Sequence, residues 1–272
     1  MIDLHTHSSA SDGELPPGDL VNFAADSGIT ALALTDHNTV SGLEEAKIAA
    51  ANRGIKFIPG IELNIDWPKG EFHLLGLDLQ EISPKMEELI SEIHVHRDKR
   101  NAKITSLIQA GGFDFDFEEF RQFCKTQCIG RPHFARFFEM KGWTSSYQKA
   151  FDKFFAMGKP FYVKNGGCPL LRGIDAIKSC GGKAVLAHPM SLYISRSALE
   201  QLCLKFKDDG IEGLEAFHSG AKRNDCFWLK SLAEKYNFFV TAGSDFHGTS
   251  LRRDRKIGCW GEDREITVDL LK

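Results

Sequence analysis

The chain has 272 residues, 42% hydrophobic and 26% charged, with a formal net charge of −3, enough for one large α/β domain or two small ones of ordinary globular composition. No apolar run is long enough to span a bilayer, and Asp3, His5 and His7 interrupt the N-terminus too early for a secretory signal, so a cytoplasmic protein without membrane association is expected. The slightly acidic balance excludes coating of duplex nucleic acid by bulk electrostatics but not capture of a small nucleotide or a single-strand end in a local basic pocket.

Taken in chain order, β-rich apolar runs alternate with amphipathic patterns. Strands are expected at Met1–Leu4, Thr30–Thr35, Lys56–Glu62, Glu71–Leu77, Lys183–Ala187, Gly210–Ala216 and Phe238–Ala242, and helices at Pro17–Ser27, Gly42–Asn52, Leu171–Ser179, Arg196–Phe206 and Asn224–Tyr236. Trp67-Pro68-Lys69-Gly70 reads as the turn of a hairpin joining the third and fourth strands. From Ser83 to Lys164 the rhythm breaks: a long helical stretch, Ser83–Ala110, precedes a Phe- and charge-rich region with no buried parallel strand. The expected architecture is α/β, a seven-stranded barrel from residues 1–82 and 165–272, with residues 83–164 as a helical insertion that caps it. The seven cysteines are scattered; Cys124 and Cys128 have no second pair at finger spacing, so free thiols are expected rather than structural zinc.

The ionisable residues carry the functional signal. His5-Thr6-His7 follows the first strand with Asp12 beyond it, and Asp36-His37 follows the second. Glu62 ends the third, His73 lies in the fourth, and His188 follows the fifth. Glu215 and His218 mark the sixth, and Asp245 with His247 the seventh. In α/β barrels the carboxyl ends of the strands share one face, so residues distant in sequence converge there. Alternate residues of an extended segment point to one side, which lets the two imidazoles of His-x-His reach one cation or two neighbouring ones. Nitrogen and oxygen ligands without thiolate suit Zn²⁺, Mn²⁺ or Fe²⁺. A lone histidine after a strand is usually a hydrogen-bonded loop residue; it is the repetition along the chain that points to metal. Asp36 is a candidate to orient His37 rather than to ligate.

His5-Thr6-His7-Ser8 with Asp12-Gly13, Thr35-Asp36-His37-Asn38, Gly60-Ile61-Glu62, Ala187-His188-Pro189 and Gly243-Ser244-Asp245-Phe246-His247 resemble the polymerase and histidinol phosphatase (PHP) superfamily over roughly residues 1–80 and 165–250. The resemblance implies a distorted (β/α)7 barrel that binds up to three divalent metals and hydrolyses phosphate esters by a metal-bridging hydroxide. It implies His5, His7, Glu62 and Asp245 around a first ion. Glu62 would bridge to a second held with His73 and His188, and Asp12, His37 and His247 would hold a third. The insertion's Gly130-Arg131-Pro132-His133-Phe134-Ala135 and Gly158-Lys159-Pro160-Phe161-Tyr162-Val163 resemble a narrower branch acting on nucleoside 3′,5′-bisphosphates and short RNA 5′ ends, whereas Ser219-Gly220-Ala221-Lys222 departs from that branch's pattern.

Arg131, with its planar fork, is the candidate phosphate clamp, assisted by His133, Lys159 and Lys164. His218 is the candidate general acid or phosphate ligand. The expected partner is a small phosphorylated substrate, a nucleotide or oligoribonucleotide end, with no obligatory protein partner. The alternatives are a histidinol-phosphate-type or other small-molecule phosphomonoesterase, and an amidohydrolase-type carbon–nitrogen hydrolase. The last typically adds a bridging lysine at a strand end, and none stands in these motifs.

Overall fold

The computed structural model describes residues 1–126, 128–164, 166–252, 254–261 and 263–272. Its contacts divide the chain into two units, Met1–Ile90 with Gly167–Lys272, and Ser91–Gly166.

In the first unit the strands are β1 (Ile2–Thr6), β2 (Ala31–Leu34), β3 (Lys56–Ile65), β4 (Phe72–Leu77), β5 (Lys183–Leu186), β6 (Gly213–His218) and β7 (Phe239–Gly243). Among the described residues they form one sheet in sequence order. Two hydrogen bonds bring its ends together: the His7 N–H donates to the Phe246 carbonyl at 2.9 Å and the Asp245 N–H to the His5 carbonyl at 2.9 Å. Pairing is parallel except around β4, which runs antiparallel to both β3 and β5. That reversal follows from the hairpin at residues 66–71, too short a connection for a parallel crossover. It also explains His73. Because β4 is inverted, its beginning lies on the face where the other strands end.

Helices α1 (Pro17–Asp26) and α2 (Leu43–Arg53) follow β1 and β2, while α7 (Leu170–Ser179), α8 (Arg196–Asp209) and α9 (Arg223–Lys235) connect the later strands. On α1 the spacing of Leu20, Val21 and Ala24 gives one buried face, which packs with Leu32, Leu34 and Ala46. Leu75 and Leu77 lie on the same strand face as His73 and form a buried cluster with Ala33, Val185 and Ala187. The site thus rests on an apolar floor. The structure shifts several expected boundaries. β1 begins one residue later and ends two later, at Thr6, and β3 continues to Ile65 because each gained residue pairs with β4. The sixth strand starts at Gly213 rather than Gly210, since α8 keeps its helical bonding through Asp209. A short hairpin, β8 (Cys259–Trp260) with β9 (Arg264–Glu265), lies near the C-terminus.

The second unit begins inside α3 (Pro84–Ala110). The first turns of α3 belong to the barrel unit: Ser83 Oγ is 2.6 Å from Ser179 Oγ, and Lys85 pairs with Asp175 at 2.8 Å. The rest of α3 joins α4 (Phe117–Cys124), α5 (Arg131–Met140) and α6 (Tyr147–Ala150), the last running into a π-helical turn at Phe151–Phe155. Twelve of the chain's 21 phenylalanines fall in this unit, and Phe120, Phe134, Phe137, Phe138 and Phe155 are fully buried in one cluster. Ring pairs such as Phe120–Phe134 at 4.2 Å and Phe113–Phe138 at 4.9 Å add aromatic contacts to burial. So the unit has a hydrophobic core of its own. All seven cysteines are free thiols. No helix among the described residues is long and apolar enough to cross a membrane.

Candidate metal centre

The strand ends bring nine of the expected residues together in the barrel unit. His5 and His7 sit at the end of β1, one residue apart, and share a face. The nitrogens His5 Nε2 and His7 Nε2 approach Asp245 Oδ1 at 3.5 and 3.0 Å, and each is 3.3 Å from an oxygen of Glu62. Ligands about 2.1 Å from an ion stand about 3.0–3.4 Å apart in octahedral or tetrahedral arrangements, which is the spacing found. Glu62 is central. Its Oε1 faces His73 Nδ1 at 2.9 Å and His188 Nε2 at 3.0 Å, while Oε2 faces His37 Nδ1 at 2.9 Å. His73 Nδ1 and His188 Nε2 are themselves 3.3 Å apart. A further group comprises His7, Asp12, His37 and His247, with His247 Nε2 3.4 Å from Asp12 Oδ1.

Several of these atoms are left over by the protein. His5 Nε2, both ring nitrogens of His7, His37 Nδ1 and Glu62 Oε2 are buried with no hydrogen-bond partner. Buried polar atoms are normally satisfied, and a cation is the partner that nitrogen lone pairs and carboxylate oxygens pointing at one another require. The electrostatics agree. Burial alone would raise Glu62, yet His37, His73 and His5 hold it well below the ordinary carboxylate range. Asp12 behaves alike, with His247 and His37 outweighing burial. Burial pushes His37 and His247 down to about 4, leaving them neutral and able to ligate. His5 is the exception: burial opposes its proton, but Glu215 and Glu62 outweigh it and push it up to about 10. A cation at Nε2 would take over the charge that proton supplies.

Residues outside the expected set orient the rings. Glu215 accepts from His5 Nδ1–H at 2.9 Å and from the His188 backbone N–H at 2.7 Å. Because a carboxylate is an acceptor only, His5 keeps the proton on Nδ1, and Nε2 is the nitrogen that would give up its proton to a cation. His188 Nδ1 lies 2.7 Å from Ser191 Oγ, and His73 Nε2 lies 2.7 Å from the Asn64 amide, itself held by Asn38. Asp36 is not among the converging groups. It accepts from the Ser8 N–H (2.8 Å), Ser8 Oγ (2.6 Å) and Ser11 Oγ (2.5 Å), bracing the loop between His7 and Asp12. Three residues at the strand ends, Asn38 (φ 51°), His188 (φ 26°) and Asp245 (φ 54°), adopt left-handed backbone, a strain that proteins concentrate at working sites. Asn64→Leu is expected to lower metal affinity by about 10–100-fold. Asn64→Asp, which replaces the Nδ2–H donor at His73 Nε2 with an acceptor, would fix the ring proton on Nε2 and free Nδ1 for an ion, and so should retain it, as chelator competition would show.

His218 Nε2 is 3.4 Å from Asp245 Oδ2, and its Nδ1 accepts from the Gly220 backbone N–H at 3.0 Å. Burial holds it neutral; Glu215 opposes this, and Arg255 reinforces it. The imidazole is therefore an Nε2–H donor beside the cluster. The remaining expected residues lie in the helical unit. Arg131 opens α5, its guanidinium 5.0 Å from the Tyr162 ring centre. The His133 ring is buried and its Nδ1 accepts from the Gly130 N–H at 3.0 Å, a capping role. Lys159 and Lys164 are exposed.

A family model described as the PHP domain matches residues 3–156, more than half of the chain. The chain belongs to the PHP domain family. Like other members it is a metal-dependent phosphoesterase, and so a hydrolase. This PHP chain is 33% identical over 247 residues to a 3′,5′-nucleoside bisphosphate phosphatase of Chromobacterium violaceum, covering 90% of this chain and 87% of that protein. It is 32% identical over 249 residues to the 5′-3′ exoribonuclease Rnm of Escherichia coli, covering 91% and 85%. Among solved structures, one described as an amidohydrolase from Chromobacterium violaceum with bound sulfate superposes with a TM-score of 0.87 at 31% identity, covering 98% of this chain and 92% of that one. A metal-dependent phosphoesterase from Bifidobacterium adolescentis superposes at 0.84, with 24% identity and coverage of 98% and 93%, a likeness of fold. The family model ends before His188, Asp245 and His247; geometry joins those three to the N-terminal motifs.

Proposed function

We propose that the chain hydrolyses phosphate esters of nucleoside 3′,5′-bisphosphates or of short RNA 5′ ends, using up to three divalent ions of the Mn²⁺, Zn²⁺ or Fe²⁺ type. His5, His7, Glu62 and Asp245 would hold one, Glu62, His73 and His188 a second, and Asp12, His37 and His247 a third. When bound, such ions supply a water acidic enough to act as nucleophile near neutral pH, together with charge neutralisation at the phosphoryl oxygens. Glu62, whose two oxygens face different histidines, would hold neighbouring ions in common and supply negative charge to both. Neutral His218 offers its Nε2–H to a phosphoryl oxygen or to the leaving oxygen.

The observation that carries the substrate class is a group of arginines in the helical unit. Arg97 and Arg100 are buried on α3, and Arg100 is held below the ordinary guanidinium range by burial and by the charges of Arg97 and Arg131. Arg97 donates to the Cys128 carbonyl at 3.1 Å and Arg100 to the Ile129 carbonyl at 3.0 Å, so both are fixed beside the N-terminus of α5 that Arg131 opens. Three guanidiniums drawn together at a helix N-terminus favour an anion. An anion-binding group of this kind in the chain suits a substrate rich in phosphate, and the two relatives named above point to the same class of substrate. His133, Lys159 and Lys164 remain auxiliary candidates.

The test is a panel assay of metal-loaded protein on a nucleoside 3′,5′-bisphosphate, a nucleoside monophosphate, histidinol phosphate and an aryl phosphate. The bisphosphate should be the best substrate. Arg131→Ala should then cost it about 1.5–3 kcal/mol in kcat/KM, the scale of a hydrogen bond to a charged group. The aryl phosphate should change much less, and metal content not at all. Equal losses on both esters, or a preference for histidinol phosphate, would overturn this reading.

A further inference from the structure

The loop after β7 carries a residue that none of the strand-end motifs contains. The Arg255 side chain is largely buried, and its guanidinium is ion-paired with Asp245 Oδ2. The same nitrogen, Nη1, donates to the Asp245 backbone carbonyl at 3.3 Å. The two carboxylate oxygens of Asp245 therefore have separate surroundings. Oδ1 faces His7 Nε2 at 3.0 Å, His247 Nδ1 at 3.4 Å and His5 Nε2 at 3.5 Å. Oδ2 is taken up by Arg255 and by His218 Nε2 at 3.4 Å. The carbonyl that Arg255 grips has a second contact, with His247 Nδ1 at 2.8 Å. A carbonyl is an acceptor only, so it keeps the His247 proton on Nδ1 and leaves Nε2 facing Asp12. Asp245 itself is held in left-handed backbone, φ 54°, where a non-glycine residue persists only if its surroundings enforce it.

We propose that Arg255 is a positioning residue for the metal-dependent reaction, holding Asp245 so that it offers the cluster one oxygen and not two. A free carboxylate beside a divalent ion can bind through one oxygen or chelate through both. Engaging Oδ2 removes the second mode and leaves a coordination position for water or substrate, as catalytic sites require. Through the shared carbonyl the same arginine also steadies His247, so one side chain acts on two residues of the cluster. A planar guanidinium suits this better than an ammonium, because it is always charged and its donors are fixed in one plane.

The proposal rests on the reading of Asp245 as a metal ligand, and the experiment separates the two. Protein stripped by chelation and reloaded with Co²⁺ is compared by its visible d–d absorption, which weakens as coordination number rises, and by ion content per chain. Asp245→Asn is the control: if it alters neither spectrum nor content, Asp245 is not a ligand and that reading fails by itself. With the control altered, Arg255→Ala is expected to weaken the absorption at unchanged Co²⁺ content. It should also lower kcat by about 10–100-fold with a smaller change in KM. Arg255→Lys, which retains a charged donor, should move the spectrum back towards wild type and serves as the folded comparison. A wild-type spectrum in both Arg255 variants, whether or not activity falls, overturns the proposal.

Discussion

Glu62→Gln is expected to reduce turnover by about 10³-fold or more, on the scale of several kcal/mol of lost charge stabilisation, and to leave the protein short of ions after reconstitution. The substitution barely changes shape, and so isolates charge and donor pattern. Glu62 Oε1 faces His73 and His188 while Oε2 faces His37. Whichever way the new amide turns, an N–H₂ group with no lone pair to give will point at one of these sets. His247 belongs to only one of the three candidate groups, so its replacement should cost less. Elemental analysis of Mn²⁺-reconstituted protein, alongside turnover of an aryl phosphate, checks both parts. A Glu62→Gln variant with near-normal turnover and full metal content would show that the carboxylate does not bridge.

Gly243→Ala should be nearly as damaging for a steric reason. A Cβ at Gly243 would lie 2.2 Å from His5 Cβ, 2.8 Å from the His5 backbone nitrogen and 2.9 Å from Glu215 Oε1. None of these is the loose end of a flexible chain: two belong to β1, and the third is the oxygen that orients His5. Either the closing strands must part or His5 must turn away. The expected cost is about 3 kcal/mol, towards the top of the overpacking range, seen as a lower melting temperature of the metal-free protein. Reduced metal content should accompany it. A variant with wild-type melting and a full complement of ions would show that β7 and β1 are not packed as tightly as described.

How much of this was legible in the sequence follows from where the information lies. His5, His7, His37, Glu62, Asp245 and His247 were readable because their side chains are the chemistry and the strand ends are where the fold exposes them. Glu215 was visible at the end of the sixth strand but its part in orienting His5 and His188 was not, and an asparagine in a hairpin such as Asn64 looks ordinary until the ring nitrogen it contacts is known. Arg97 and Arg100 were hidden in the polar pattern of a long helix, where arginine normally reads as a solvated face. Arg255 stands among other charges in a loop without periodicity. Strand limits failed for a related reason. The last residues of β3 are strand because β4 lies beside them, and pairing across a hairpin is a tertiary fact that local propensity does not encode.

The inverted strand has a consequence for how this protein can vary. In the hairpin, Asn64 pairs with His73 and Glu62 with Leu75, so the register alone decides that the imidazole meets the Glu62 carboxylate. Sliding one strand by a single residue would send His73 to the opposite face. The connecting turn, Trp67 to Gly70, contains no cluster residue, and surface loops usually tolerate insertions and deletions. Here they would not be neutral. Gly70, at φ 64°, has room for no side chain, because a Cβ would stand 2.2 Å from the Ser191 carbonyl oxygen, and Ser191 itself touches His188. Homologous chains should therefore vary in length within the helical unit well before they vary in this four-residue turn.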